Sequence, residues 1–430
     1  MEGYLQYIKL HGLPKPSEDQ INWHAMEIGA LICIGLNTFH NKEWSDGTLP
    51  PASFNPPCLD CFQWVQTAKE FGAKYAILVA KHHDGFCLWP TKTTDYSVRA
   101  SPYKNGQGDV VREFIEACKR LDMKIGIYLS PWDRHEPCYP DAAAYDDFYC
   151  QQLEELMTWY DADFVEFWFD GAGSEGRKYD WNRIMALVQK YNPHAMIFNM
   201  GRPTIRWVGN ERGFANDPNW NVLRIGDTID ETDTTDIIGV GLKINECDGF
   251  GNMWLPAECD VPLYNHQWYW HTNSERKIYP LKKLLWMYEN SVGRGANLLI
   301  GMAPNRQGLM GNKEFQRMQA FGQSIRRYML ENALYQTSGE GTKIECCLPS
   351  PVKANCLMLQ EEIRNGQAIR GYTVMYKKSS AAKWQLLQRG TSIGYKKIDR
   401  FKTTTIQVLK VLIPSSLSTP KMKTIALFRI

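Results

Sequence analysis

No apolar run in these 430 residues reaches the roughly 18 that a membrane-crossing helix needs, so no membrane span is expected. No block of like charge stands out either: 49 basic side chains are set against 47 acidic ones, for a net charge of +2. A nucleic-acid partner or an anionic membrane surface would ask for a concentrated basic patch, so neither is expected. Neither G-x-G-x-x-G nor G-x-x-x-x-G-K-[ST] follows any strand-like run, which argues against a dinucleotide or P-loop site. The opening MEGYLQYIKL lacks a basic stretch followed by an apolar core, so no secretion signal is legible. If a leader has been removed, a periplasmic or secreted protein is expected. The 12 cysteines follow no framework spacing. Cys58 and Cys61 form a C-x-x-C, but no second pair of Cys or His completes a zinc set, so ordinary thiols and no metal are expected.

What is present is an alternation. Short apolar runs at 29–36, 74–81, 124–130, 163–169, 194–200 and 296–302 read as strands, apolar on both faces, as in parallel sheets covered on both sides. Helix-like stretches separate them. Asp60 reads as the N-cap of a helix through Phe71 that Gly72 stops, and Asp109 as the N-cap of one through Met123. In the second, Val110, Val111, Phe114, Ile115, Cys118 and Leu121 recur at helical spacing. Repeated strand–helix units point to an α/β fold, a (β/α)8 barrel, more than to an open sheet. The region 205–270 is loop-heavy and rich in Trp, and strands six and seven are not legible in it. A helical 313–335 follows. From about 338, alternating runs such as GYTVMYKK and TTTIQVLKVLI read as a small C-terminal all-β sandwich. The expected domains are 1–335 for the barrel and 336–430 for the sandwich.

In a barrel of this kind the working residues lie at the C-terminal strand ends. Those ends are polar here. His40, Glu43 and Trp44 follow the first strand, and His82, His83 and Asp84 the second. Tyr128 ends the third, and Asp170 ends DFVEFWFDG. Arg206, Trp207 and Glu211, then Trp254, Glu258 and Asp260, lie further on. Fourteen of the 15 tryptophans precede the β-rich tail. Carboxylates, imidazoles and indoles on one rim suggest a sugar, with faces for aromatic rings and hydroxyls for forked polar partners. Two carboxyls could then divide glycosidic cleavage between them. Each residue also has a plainer reading. The histidine pair could ligate a metal, although no H-x-H or spaced third ligand accompanies it. Asp170 could cap a helix, several Trp could fill the core, and Glu43, Arg206 and Glu258 could form ion pairs.

The stretches KYAILVAKHHDGFCLWPTKTTDYSV, GIYLSPWDRHEPCY, VEFWFDGA, RWVGNERG, LPAECDV and NSVGRGANLLIGMAPNRQG resemble the α-L-fucosidases of glycoside hydrolase family 29 across about residues 20–325. They look closest to the subgroup that cuts α-1,3 and α-1,4 fucose from branched Lewis-type glycans. The resemblance implies a barrel followed by a β-sandwich, a retaining double displacement without metal or cofactor, and a fucosylated oligosaccharide as substrate. It carries the nucleophile to Asp170 and the acid/base to Glu211. His82, His83, Glu43, Trp44, Tyr128 and Trp168 match positions that hold the fucose, and Glu258 and Asp260 match the part that receives a branch galactose.

One position departs from the family pattern. An IHFG-like stretch, whose histidine binds sugar, reads ICIG here, with Cys33 in that place. A thiol is a weak donor. Losing one hydrogen bond would cost about 0.5–1.5 kcal/mol, or roughly 2- to 13-fold in binding. His40, where the family often has a small residue, could compensate. The alternative to an enzyme is therefore a fucose-binding protein on a fucosidase scaffold, with little turnover because of Cys33. A barrel glycosidase for another sugar is a third reading.

Overall fold

A computed structural model describes residues 2–174, 176–223 and 249–430. Five parallel strands come first: β1 (Ile28–Ile32), β2 (Tyr75–Lys81), β3 (Lys124–Leu129), β4 (Phe164–Trp168) and β5 (Met196–Phe198). β6 (Arg206–Trp207) follows. β7 (Val222–Leu223) and β8 (Met253–Trp254) pair antiparallel outside the main sheet. β9 (Ala257–Pro262) and β10 (Asn297–Met302) complete the set. The sheet order is β5-β4-β3-β2-β1-β10-β9-β6. A parallel bridge between Phe198 and Ile205 joins its two edges, so the eight strands close into a barrel. The two strands not legible in sequence are β6 and β9. Residues 224–248 of the loop-heavy stretch lie outside the described residues.

Strand alternation sorts side chains into two cores. Leu31, Cys33, Tyr75, Ile77, Val79, Tyr128, Trp168 and Leu299 point into the barrel. Ala30, Ile32, Ala76, Leu78, Ile127 and Ile300 point outward and meet the helices. Two of those helices begin where the sequence reads a cap. Asp60 accepts from the Gln63 N–H at 3.1 Å before Cys61–Glu70, and Asp109 from the Arg112 N–H at 2.9 Å before Val110–Leu121. Gly72 takes φ +95°, a left-handed conformation that costs glycine little, and it closes the first of them. Cys58 is exposed and Cys61 buried, and both are free thiols. The helical reading of 313–335 needs correction. The helix is Asn312–Ile325, and two short 3-10 turns follow. There Tyr328 turns inward, hydrogen-bonds Glu289 and packs on Tyr288.

The tail forms one six-stranded antiparallel sheet from β11 (Tyr335–Glu340), β12 (Lys343–Glu361), β13 (Ile369–Lys377), β14 (Gln385–Gly390), β15 (Lys397–Ser416) and β16 (Lys421–Phe428). Alternation works here too. Leu357 and Leu359 enter the tail's own core, while Cys356 and Met358 join the core of the barrel's helical layer. Tyr395 stacks on His24 at 5.1 Å, and Lys396 pairs with Glu27, so the β-rich part is anchored beside β1. A cavity of about 690 Å³ opens at the barrel's N-terminal end, lined by Trp23, Lys74, Lys124, Asp163 and Met196 among others. None of the rim residues singled out above lines it.

Candidate active site

The rim at the opposite end gathers polar side chains where β2 and β4 give way to His82, His83 and Asp170. Asp170 lies two residues beyond β4. Its Oδ2 accepts from the Tyr128 hydroxyl at 2.8 Å and its Oδ1 from the Ala172 N–H at 2.9 Å. One quarter of the side chain remains exposed. Each carboxyl oxygen thus takes one donor and keeps lone pairs free toward the cleft. Gly173, at φ +72°, lets the chain turn away, and a Cβ there would strike the Trp132 ring at 2.0 Å.

His83 Nε2 stands 3.5 Å from Asp170 Oδ2. Its other nitrogen, Nδ1, is 2.7 Å from Ser130 Oγ, whose single proton goes to the Trp132 carbonyl at 2.7 Å. Ser130 must therefore accept from His83 Nδ1–H. Burial, reinforced by Arg134 and Lys81, pushes His83 down to about 3, so the ring is neutral and Nε2 offers a lone pair. Two acceptors thus lie side by side, a place that suits a donating hydroxyl. His82 is half-buried, parallel to Tyr128 at 5.9 Å and edge-on to Tyr269 at 5.2 Å. Burial holds it well below the ordinary histidine value.

Trp44 is 50% exposed and packs edge-on against His83 at 5.1 Å and Trp132 at 5.5 Å. Trp168 is buried, stacked on Tyr128 at 5.2 Å and on Phe198 at 3.9 Å. Beneath this wall Lys81 and Asp133, both fully buried, pair at 3.0 Å. Asp133 also accepts from the N–H groups of His135 and Glu136, so it ties the loop after β3 to the end of β2. Removing either partner would strand a buried charge, at about 3–5 kcal/mol.

Glu211 lies beyond β6, exposed as a residue but with its carboxyl among other groups. Burial raises it first, a hydrogen bond from Trp268 opposes this, and the charges of Asp170 and Glu43 raise it further. The cleft therefore brings Glu211 within electrostatic reach of Asp170. Glu43 reaches the same cleft. However, its Oε2 accepts from the Trp268 and Tyr269 N–H groups at 2.8 and 3.4 Å, and its Oε1 meets His271 Nε2 at 2.6 Å. It holds the 268–271 loop.

Three assignments shift. Glu258 is fully buried inside the barrel, with Oε2 held by the Tyr75 hydroxyl at 2.5 Å and Oε1 by Trp168 Nε1 at 2.9 Å. It does not reach the rim and cannot receive a galactose. Asp260, on the same inward face of β9, is 2% exposed and accepts from Trp207 Nε1 at 2.6 Å, so it too lies below the surface a branch sugar would touch. Cys33 is 3% exposed in the interior cluster next to Tyr128 and Tyr269. His40 hydrogen-bonds Ser53 Oγ at 2.8 Å, and Arg206 is buried against Asn219 and the Trp220 carbonyl. The sequence reading missed Ser130, Trp268, Tyr269 and His271. The run QWYWHT was visible but follows no strand-like segment, so nothing assigned it to the rim. Among the described residues no cluster of His, Cys, Asp or Glu could hold a metal ion.

A family model described as alpha-L-fucosidase matches residues 22–329. Alpha-L-fucosidase 1 of Arabidopsis thaliana is 34% identical across 97% of this chain and 88% of its own length. The solved structure of a Ruminococcus gnavus family 29 fucosidase in complex with fucose is 29% identical, with a TM-score of 0.85 over 97% of this chain and 95% of that one. A family 29 structure from an unknown rumen bacterium is 31% identical, with a TM-score of 0.87 over 97% of this chain and 77% of that one. Barrel, rim and relatives agree: the chain belongs to the α-L-fucosidases, glycoside hydrolase family 29.

Proposed function

We propose that this α-L-fucosidase is a retaining, exo-acting enzyme that removes α-1,3- and α-1,4-linked fucose from branched Lewis-type glycans, with a barrel of residues 1–335 as its catalytic domain and 336–430 as a β-rich support. The observation that carries the chemistry is the pairing of a doubly hydrogen-bonded Asp170 with a Glu211 that feels its charge. Asp170 attacks the anomeric carbon and forms a fucosyl ester. Glu211 protonates the departing glycosidic oxygen, then takes a proton from the water that hydrolyses the ester. The raised Glu211 is suited to the first of these steps, because it must begin protonated beside an ionised neighbour.

His83 accepts a sugar hydroxyl through Nε2, since Ser130 keeps its proton on Nδ1. His82 and Tyr128 line the same space, Trp44 covers it from the solvent side, and Trp168 supports it from beneath. Glu43 acts through the loop that carries Trp268. Because both carboxyls are assembled at one cleft, hydrolysis is favoured over the binding-only reading that Cys33 raises. The linkage preference rests on the sequence resemblance. It is tested by comparing kcat/KM for a Lewis trisaccharide with that for a nitrophenyl fucoside. The branched glycan is expected to be the better substrate, and the reverse order would move the chain to a broader specificity.

A further inference from the structure

Below the rim lies a second pair of carboxyls that the reaction does not use. Glu166 sits on β4 two residues before Trp168 and four before Asp170, so the three share the strand's inward alternation. Glu258 reaches it from β9. Both are fully buried, and they lie within hydrogen-bond reach of each other. Two carboxylates in contact in such a place cannot both be charged. The donors around them differ. Glu258 accepts from the Tyr75 hydroxyl and from Trp168 Nε1, one on each oxygen. Among the described residues Glu166 accepts only from Trp23 Nε1, on Oε2 at 2.9 Å, and none donates to its buried Oε1. The oxygen without a donor is the one that can carry the proton.

We propose that Glu166 is a positioning residue held protonated: its O–H donates to Glu258, and the Glu258 carboxylate so completed fixes the Trp168 indole on which Tyr128, the partner of Asp170, is stacked. The electrostatics run the same way. Burial, then the charge of Glu258, pushes Glu166 well above the carboxyl range. Burial raises Glu258 only to about 7 because hydrogen bonds from Tyr75, Trp168 and Glu166 oppose it. The resulting line runs from Trp23 near the barrel's base, through the acid pair, to Trp168, Tyr128 and Asp170. Its effect on turnover rests on the site proposed above, whereas the position of the proton does not.

The test therefore has two arms, both on the full chain. The first is an infrared difference spectrum between wild type and Glu166→Gln at slightly alkaline pH. A protonated carboxylic-acid C=O stretch should be present in wild type and lost in the variant, and its absence from the difference spectrum overturns the proposal whatever the enzyme's function. The second is kinetic. Gln can accept from Trp23 and donate to Glu258, as the protonated acid does, whereas Leu can do neither. Glu166→Leu should lose roughly 10- to 100-fold in kcat/KM, and Glu166→Gln should recover to within about threefold of wild type, one such hydrogen bond being kept. Should Glu166→Leu fail to fold, the spectrum and the Gln variant remain decisive. A Gln variant as impaired as complete loss of the acid would mean that the charge resides on Glu166, and the proposal fails.

Discussion

Asp170→Gly should lower fucoside hydrolysis by on the order of 10⁴-fold or more, as removal of a nucleophile does in other covalent mechanisms. Tyr128 and the Ala172 amide contribute the donors to this carboxyl, and His83 Nε2 borders it at 3.5 Å. The variant leaves that frame in place while removing the attacking oxygen. Azide supplied in solution can then enter from the face that Asp170 occupied. Partial recovery is expected, with β-fucosyl azide as the product, because attack comes from the side opposite the leaving group. Full activity without azide would remove Asp170 from the mechanism, and α-fucosyl azide would mean that the replaced group had stood on the other face.

Glu211→Gln should separate substrates by their leaving groups. A sugar leaving group needs the proton, so kcat/KM on the branched glycan should fall by about 10²–10⁴-fold. An activated aryl fucoside leaves without such help and should lose far less in its first step. The pH profile gives an independent check. Glu211 must be protonated for leaving-group departure, and burial together with the Asp170 and Glu43 charges raises it above the ordinary range. Activity on the glycan should therefore fall as pH rises through that raised value, and this descending limb should be missing in the Gln variant. An unchanged limb would place the acid elsewhere.

These roles were partly legible in sequence, and the pattern of success has a physical cause. β2 and β10 are buried along their whole length and read as apolar runs, with Lys81 and Asn297 the polar residues, at one end of each. A polar residue directly after such a run, as with His82, His83 and Asp170, lands on the rim. β9 hides the same geometry because its inward face carries Glu258 and Asp260, so AECDVP does not look like a barrel strand. Without its register, both carboxyls were assigned to the surface when alternation turns them into the interior. β6 has only two residues, one of them a buried arginine, too few to show any period. The 268–271 loop was illegible for another reason. Its contact with Glu43 joins positions 225 and more residues apart, and no local spacing encodes that. The tail was legible because β12 and β13 alternate between a solvent or barrel face and their own core.

The most direct test of the account is to trap the ester. Incubation with a 2-fluoro-fucosyl fluoride slows hydrolysis of the glycosyl-enzyme, and peptide mass analysis then locates the added sugar. A single fluorofucosyl group on the side chain of Asp170 is the predicted result. The same mass on another carboxyl, or turnover of the reagent with no adduct at any time, would contradict it.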